Sequence, residues 1–185
     1  MSKPEFFLWV DLETTGLSPK TDAILEMALV LTDADFRKLG RLQYIFSPDI
    51  AFRNVNKEVK EMHSKNGLWQ DVINASFVHI PDVDSEIVKW MERLTSLEWR
   101  DLKKIYLAGS SVHFDVGFLR ENQFYFIQYL SHRYFDVSVF RTAMKLWDEG
   151  YLWSQSGTHR AMDDVLDHIE EAKHYKKAIT WQLLS

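Results

Sequence analysis

The sequence predicts an α/β fold in which one mixed sheet carries helices packed against it, with residues 1–185 forming a single domain. Three observations lead there. Short apolar runs of strand type precede stretches whose apolar residues recur at helical spacing. The first three strands follow one another across turn signals, as in an antiparallel meander, whereas a later strand lies between helical segments. Hydrophobic residues make up 46% of the chain, with seven Trp, seven Tyr and twelve Phe, enough for a sizeable core.

The elements run as follows. Residues 6–10, 24–31 and 39–46 read as strands, separated by the Gly-Leu-Ser-Pro turn at Gly16–Pro19 and by Lys38-Leu39-Gly40. Residues 54–63 read as a short helix that closes near Asn66-Gly67. After Pro81, "DVDSEIVKWMERL" puts Val83, Ile87, Trp90, Met91 and Leu94 on one helical face. "KKIYLAGSS" is a short strand ending in small residues. Helical segments are expected over 112–130 and 137–147, with a short strand between them. The last helix begins just after His159, with Met162, Val165, Leu166, Ile169 and Ala172 on one face and charged residues around the rest.

Charge and cysteine content narrow the chemistry. The formal charge of −5 does not advertise a protein that grips long nucleic acid through its phosphates; any such contact is short or carried by metal ions. The absence of cysteine excludes disulfides, thiolate metal sites and a cysteine nucleophile, and suits a reducing cytoplasmic setting. No stretch approaches the length and apolarity of a membrane span, and "MSKPEFF" lacks the features of a signal peptide.

The functional residues are acids at the ends of buried elements. In "FFLWVDLETTGL", Asp11 and Glu13 follow five apolar residues and, being two apart in a strand, point to the same side. Like charges that close are costly unless a cation compensates them or one is protonated. A hard divalent ion such as Mg²⁺ or Mn²⁺ suits such an oxygen cluster, while two solvated loop acids are the plainer alternative. In "LAGSSVHFDVGFL", Asp115 stands at the start of a helical stretch, either as a ligand or as a first-turn acid favoured by the helix dipole. In "GTHRAMDDVLDHIEEA", His159 precedes the last helix and Asp163 and Asp164 follow, pointing about 100° apart, so that only one can face an inward site.

The order of these pieces resembles the DEDDh group of 3′→5′ exonucleases, which have a ribonuclease H-like fold, and within it the oligoribonucleases. The resemblance runs from about Phe7 to Lys177 through "WVDLETTGL", "LAGSSVHFDVGFL", "DVSVF" and "HRAMDD". It implies that Asp11, Glu13, Asp115 and Asp164 hold two divalent ions, and that His159 is the general base. Asp164 takes the last place because the family separates base and final acid by four residues. The chemistry is self-consistent: four carboxylates balance two doubly charged ions, and a histidine of ordinary pKa, about 6.5, can take a proton from water near neutrality.

The same resemblance implies a substrate of short single-stranded RNA, with DNA as a further candidate, released as 5′-mononucleotides. Leu17 matches an apolar wedge against the bases, His63 a contact at the 3′ end, and Ser111 a contact near the terminal phosphate. Core plug, helix-end residue and turn former are their respective structural alternatives. His132 and Arg133 match a pair that the family donates across a homodimer. Three departures stand out. Thr14 replaces a methionine, Glu58 occupies the place of a base-stacking aromatic, and His132 replaces a tyrosine; Trp69 could supply the missing aromatic surface if it faced the cleft. The alternatives are a broader single-strand DNA or RNA exonuclease and an inactive nucleic-acid-binding module.

Overall fold

A computed structural model describes residues 5–47, 55–147, 150, 152–154 and 157–184. A five-stranded mixed sheet with the order β3-β2-β1-β4-β5 forms its centre. β1 (Phe6–Thr14), β2 (Ile24–Asp33) and β3 (Lys38–Ile45) form the expected antiparallel meander. β4 (Ile105–Gly109) lies parallel to β1 on its other side, and β5 (Tyr134–Asp136) extends the sheet in parallel beyond it.

Alternation along β1 sorts its side chains between two cores. Leu8, Val10 and Leu12 face one layer, with Val83, Ile87, Trp90 and Met91 of α3 (Ile80–Thr95) and Val112, Val116 and Leu119 of α4 (Val112–Glu121). Phe7 and Trp9 face the other, against Ala161, Met162, Val165, Ile169 and Ala172 of the long C-terminal helix α6 (Ala161–Leu184). The apolar face read from the sequence of α6 is the one buried.

Several boundaries moved for local reasons. β1 runs four residues beyond the predicted 6–10, because Asp11, Leu12 and Glu13 pair with Ala28, Met27 and Glu26 of β2. The helix predicted over 54–63 is α1 (Lys57–Lys65), started by Asn56, whose side chain accepts the Glu58 N–H at 2.9 Å; residue 54 lies outside the described residues. A further helix, α2 (Leu68–Asn74), follows Gly67, whose φ of 84° turns the chain between the two. The single helix predicted over 112–130 breaks at Asn122. Gln123 takes φ 59°, and Phe124, Phe126 and Leu130 then fold back into the core. α5 (Val137–Trp147) has the predicted span. Among the described residues, no helix is long and apolar enough to cross a membrane.

Candidate active site

The site arises from a stagger between neighbouring strands. β1 pairs with β4 only from Phe6 to Trp9, whereas it stays paired with β2 as far as Thr14. β4 ends at Gly109, where a Cβ would lie 2.7 Å from the Val10 carbonyl oxygen, so only glycine lets the chain turn this close to β1. Beyond that turn, Asp11 and Glu13 project from β1 on the same side as Phe7 and Trp9, toward the start of α6. The following turn is tied by threonine hydroxyls. Thr14 Oγ1 donates to the Gly16 carbonyl at 2.6 Å, and Thr15 Oγ1 accepts the Ala23 N–H at 2.9 Å.

Three other elements deliver the remaining groups. At the start of α4, Asp136 accepts the N–H groups of Ser111 and Val112 at 2.9 and 3.0 Å, which replaces a side-chain cap and turns Asp115 inward. Asp115 is 3% exposed and accepts the Leu12 N–H. In the first turn of α6, Asp164 is half-buried while Asp163 is exposed, so the inward acid is the one chosen from the family spacing. Glu13, His159 and Asp164 each offer one ligand atom, all within 4.8 Å of one another, a grouping that can hold a metal ion.

The electrostatics of these acids have one sign. Burial raises Asp11 well above the carboxylate range, and Asp115, Glu13, Asp164 and Glu26 push it further. Burial, Asp164 and Glu26 push Glu13 up to about 8, against the opposing pull of Arg160. Asp115 is raised by burial despite its backbone hydrogen bonds. Asp164 is raised by burial, partly offset by His159 and the Thr158 hydroxyl. Four carboxylates that resist ionisation, each chiefly through burial and three of them also through others of the set, form a site that a divalent cation fits.

The predicted substrate contacts divide. Leu17 is 85% exposed, so it is no core plug, and together with Thr14, Val59, Met62, His63 and Phe114 it lines a cleft of about 590 Å³ that reaches Glu13. His63, on α1, is fully buried with Nε2 3.7 Å from Glu13 Oε2; burial lowers its pKa, so it is not a water-facing helix end. Ser111 takes φ 59° at the entry to α4. His132 and Arg133 precede β5, whose Tyr134 pairs with Leu107, so they sit toward the end of the sheet away from the acids of their own chain. Trp69 does not face the cleft. It is buried with Leu25, Leu68 and Val72, under the Lys60 ammonium. Glu58 lines the cleft, and no aromatic stands in its place.

The RNase T exonuclease family matches residues 8–172. An oligoribonuclease of Neisseria meningitidis serogroup A is 31% identical over 173 residues, covering 91% of this chain and 89% of that protein. The chain belongs to the oligoribonuclease family. Membership makes it a hydrolytic 3′→5′ exonuclease of the DEDDh type. Other members bear this out: a Pseudomonas fluorescens oligoribonuclease is 30% identical over 96% of this chain and 97% of its own, and the mitochondrial oligoribonuclease of Mus musculus is 32% identical over 96% and 75%. The fold is shared with Escherichia coli exonuclease I bound to single-stranded DNA (20% identity, TM-score 0.67). The match covers 95% of this chain, which spans 41% of that structure's length.

The structure gives site roles to four residues that the sequence reading left without one. Glu26, Asn66, Asp136 and Arg160 all shape the site. Glu26 is fully buried and opposite Glu13, where Arg160 binds it through two nitrogens at 3.1 and 3.2 Å. A lone acid in the apolar run "AILEMALVL" was the available signal, since buried acids are rare without a partner.

Proposed function

We propose that the protein degrades short single-stranded RNA from the 3′ end to 5′-mononucleotides, using Asp11, Glu13, Asp115 and Asp164 to hold two Mg²⁺ or Mn²⁺ ions. The observation that carries this reading is the convergence of these acids, each held above its ordinary pKa by burial or by the others. When bound, the ions supply Lewis-acid activation of water and neutralise charge on the leaving oxygen. His159, exposed at the rim within metal-ligand reach of Glu13 and Asp164, takes the proton from the attacking water. Leu17 presses on the bases, with Phe114 and Met62 lining the same cleft. His63, buried behind Glu13, backs the place of the 3′ end, and Ser111 meets the phosphate.

The placement of His132 and Arg133 away from their own acids favours a homodimer in which each copy lends this pair to the other's cleft. Exposed Trp99, Tyr125, Tyr129 and Tyr134 beside that segment provide apolar surface for such a contact. A cysteine-free composition suits the cytoplasm. Turnover of a labelled diribonucleotide, a longer RNA and the matching DNA, measured side by side, tests the substrate. Preference for the diribonucleotide is expected. Equal or better cleavage of the longer strands would favour the broader exonuclease reading, which the open cleft and the Glu58 substitution also accommodate.

A further inference from the structure

His159 stands in residues 157–160, a stretch with neither helix nor strand structure, and its backbone takes φ 53°. An L-residue holds that conformation where its surroundings dictate it. Two contacts do so here. The Asn66 side-chain amide donates to the carbonyl of His159 and, at 3.3 Å, to that of Thr158. Arg160 reaches back the other way, donating to the Asn66 carbonyl at 3.4 Å while its remaining nitrogens bind Glu26 and, at 2.9 Å, Asp71.

Asn66 also ends α1, with its N–H bonded to the Met62 carbonyl at 3.3 Å. It opens α2 as well, with Oδ1 accepting the Leu68 N–H at 3.1 Å. Those capping duties use the backbone and the side-chain oxygen. The amide NH₂ is left for the residues around His159, and α1, which carries His63, is thereby fastened to the loop that carries His159.

We propose that Asn66 is a positioning residue: through its NH₂ it holds the backbone at Thr158 and His159 so that the imidazole faces Glu13 and Asp164. This rests on the reading of His159 as the general base. Arg160 completes the clasp from the opposite side, anchored on the buried Glu26.

Asn66→Asp separates positioning from capping, because it keeps the acceptor for Leu68 and removes the donor. With a 5′-phosphorylated diribonucleotide and Mn²⁺, the expected result is a kcat lowered by about 10- to 100-fold, with KM, Mn²⁺ affinity and Tm unchanged. Asn66→Ala should lose the same kcat and some Tm through the lost cap. Combined with His159→Ala, Asn66→Asp should cost nothing further, since the clasp acts through that residue. Wild-type kcat in Asn66→Asp, a loss confined to KM, or a fully additive loss in the double variant would overturn the proposal. His159→Ala turning over at the wild-type rate would instead remove the base assignment on which it stands.

Discussion

Glu171 and Glu13 are both buried acids on the α6 side of the sheet, and they are treated in opposite ways. Glu171, fully buried, receives the Arg141 guanidinium in a fork at 2.6 and 2.9 Å, and Arg141 also donates to Ser110 at 3.3 Å. Glu13, 8% exposed, faces Asp11, Asp164 and Glu26, with the His63 ring 3.7 Å away, His159 within 4.8 Å, and Arg160 committed to Glu26. Burial is comparable, so the difference lies in pairing. A buried carboxylate with its own arginine is structural. Where the fold gathers several without one, the missing positive charge comes from outside the chain.

The comparison breaks most visibly in turnover. Asp164→Ala should lower kcat by about three orders of magnitude or more, whereas the exposed neighbour Asp163→Ala should stay within about twofold of wild type. Comparable losses in both would undo the choice between them. In stability the sign should reverse between the two regions. Glu171→Gln should destabilise the protein by about 3 kcal/mol, because Arg141 loses its charged partner. Glu13→Gln should raise the Tm of the metal-free protein by removing a group that resists ionisation. Thermal unfolding in chelator checks both.

Titration sharpens the contrast. Glu13 has a folded value of about 8 against an ordinary 4.5, so between those limits the folded state keeps a proton that the unfolded chain has released. Its contribution to stability therefore falls as pH rises through that window and levels off above it. His168, lowered to about 4 from 6.5 chiefly by burial and then by Arg141, acts oppositely, costing stability as pH falls from 6.5 toward 4. From pH 6.5 to 8, then, the metal-free protein should lose Tm. Saturating Mn²⁺ should abolish that loss, and Glu13→Gln should reduce it, Asp11 and Asp115 contributing the remainder. The smallest effect belongs to the rim. Leu17→Ala should raise KM for a diribonucleotide about tenfold with Tm unchanged, and an unaltered KM would remove Leu17 from the substrate contacts.

Much of this was legible in the residues because periodicity carries it. The unbroken apolar run "FFLWV" marked β1 as a buried strand, and the spacing of Met162, Val165, Ile169 and Ala172 gave α6 its buried stripe. Asp11 and Glu13 end an apolar run and Asp115 and Asp164 open helical ones, but the set of four came from the resemblance in motif order, not from periodicity. What stayed hidden was tertiary. The extension of β1 to Thr14 depends on a partner strand, and α2 depends on a left-handed glycine. Asn66 looks like an ordinary helix-ending residue until its partners, about ninety positions later, are known. Trp69 shows the converse: near the cleft in sequence, it is taken by the core.

The stagger that leaves β1 projecting past β4 has a further consequence for how such a protein can change. Its ledge of acids is built from the sheet and the first turns of two helices, while the surface opposite is built from α1 and the turn after Thr14. The two halves come from different segments, so the second can drift while the first stays constant. Of the two departures from the resemblance, Glu58 lies on the second half and Thr14, the last residue of β1, at the seam between them. Selection for a new range of substrates could act there without touching the hydrolytic half.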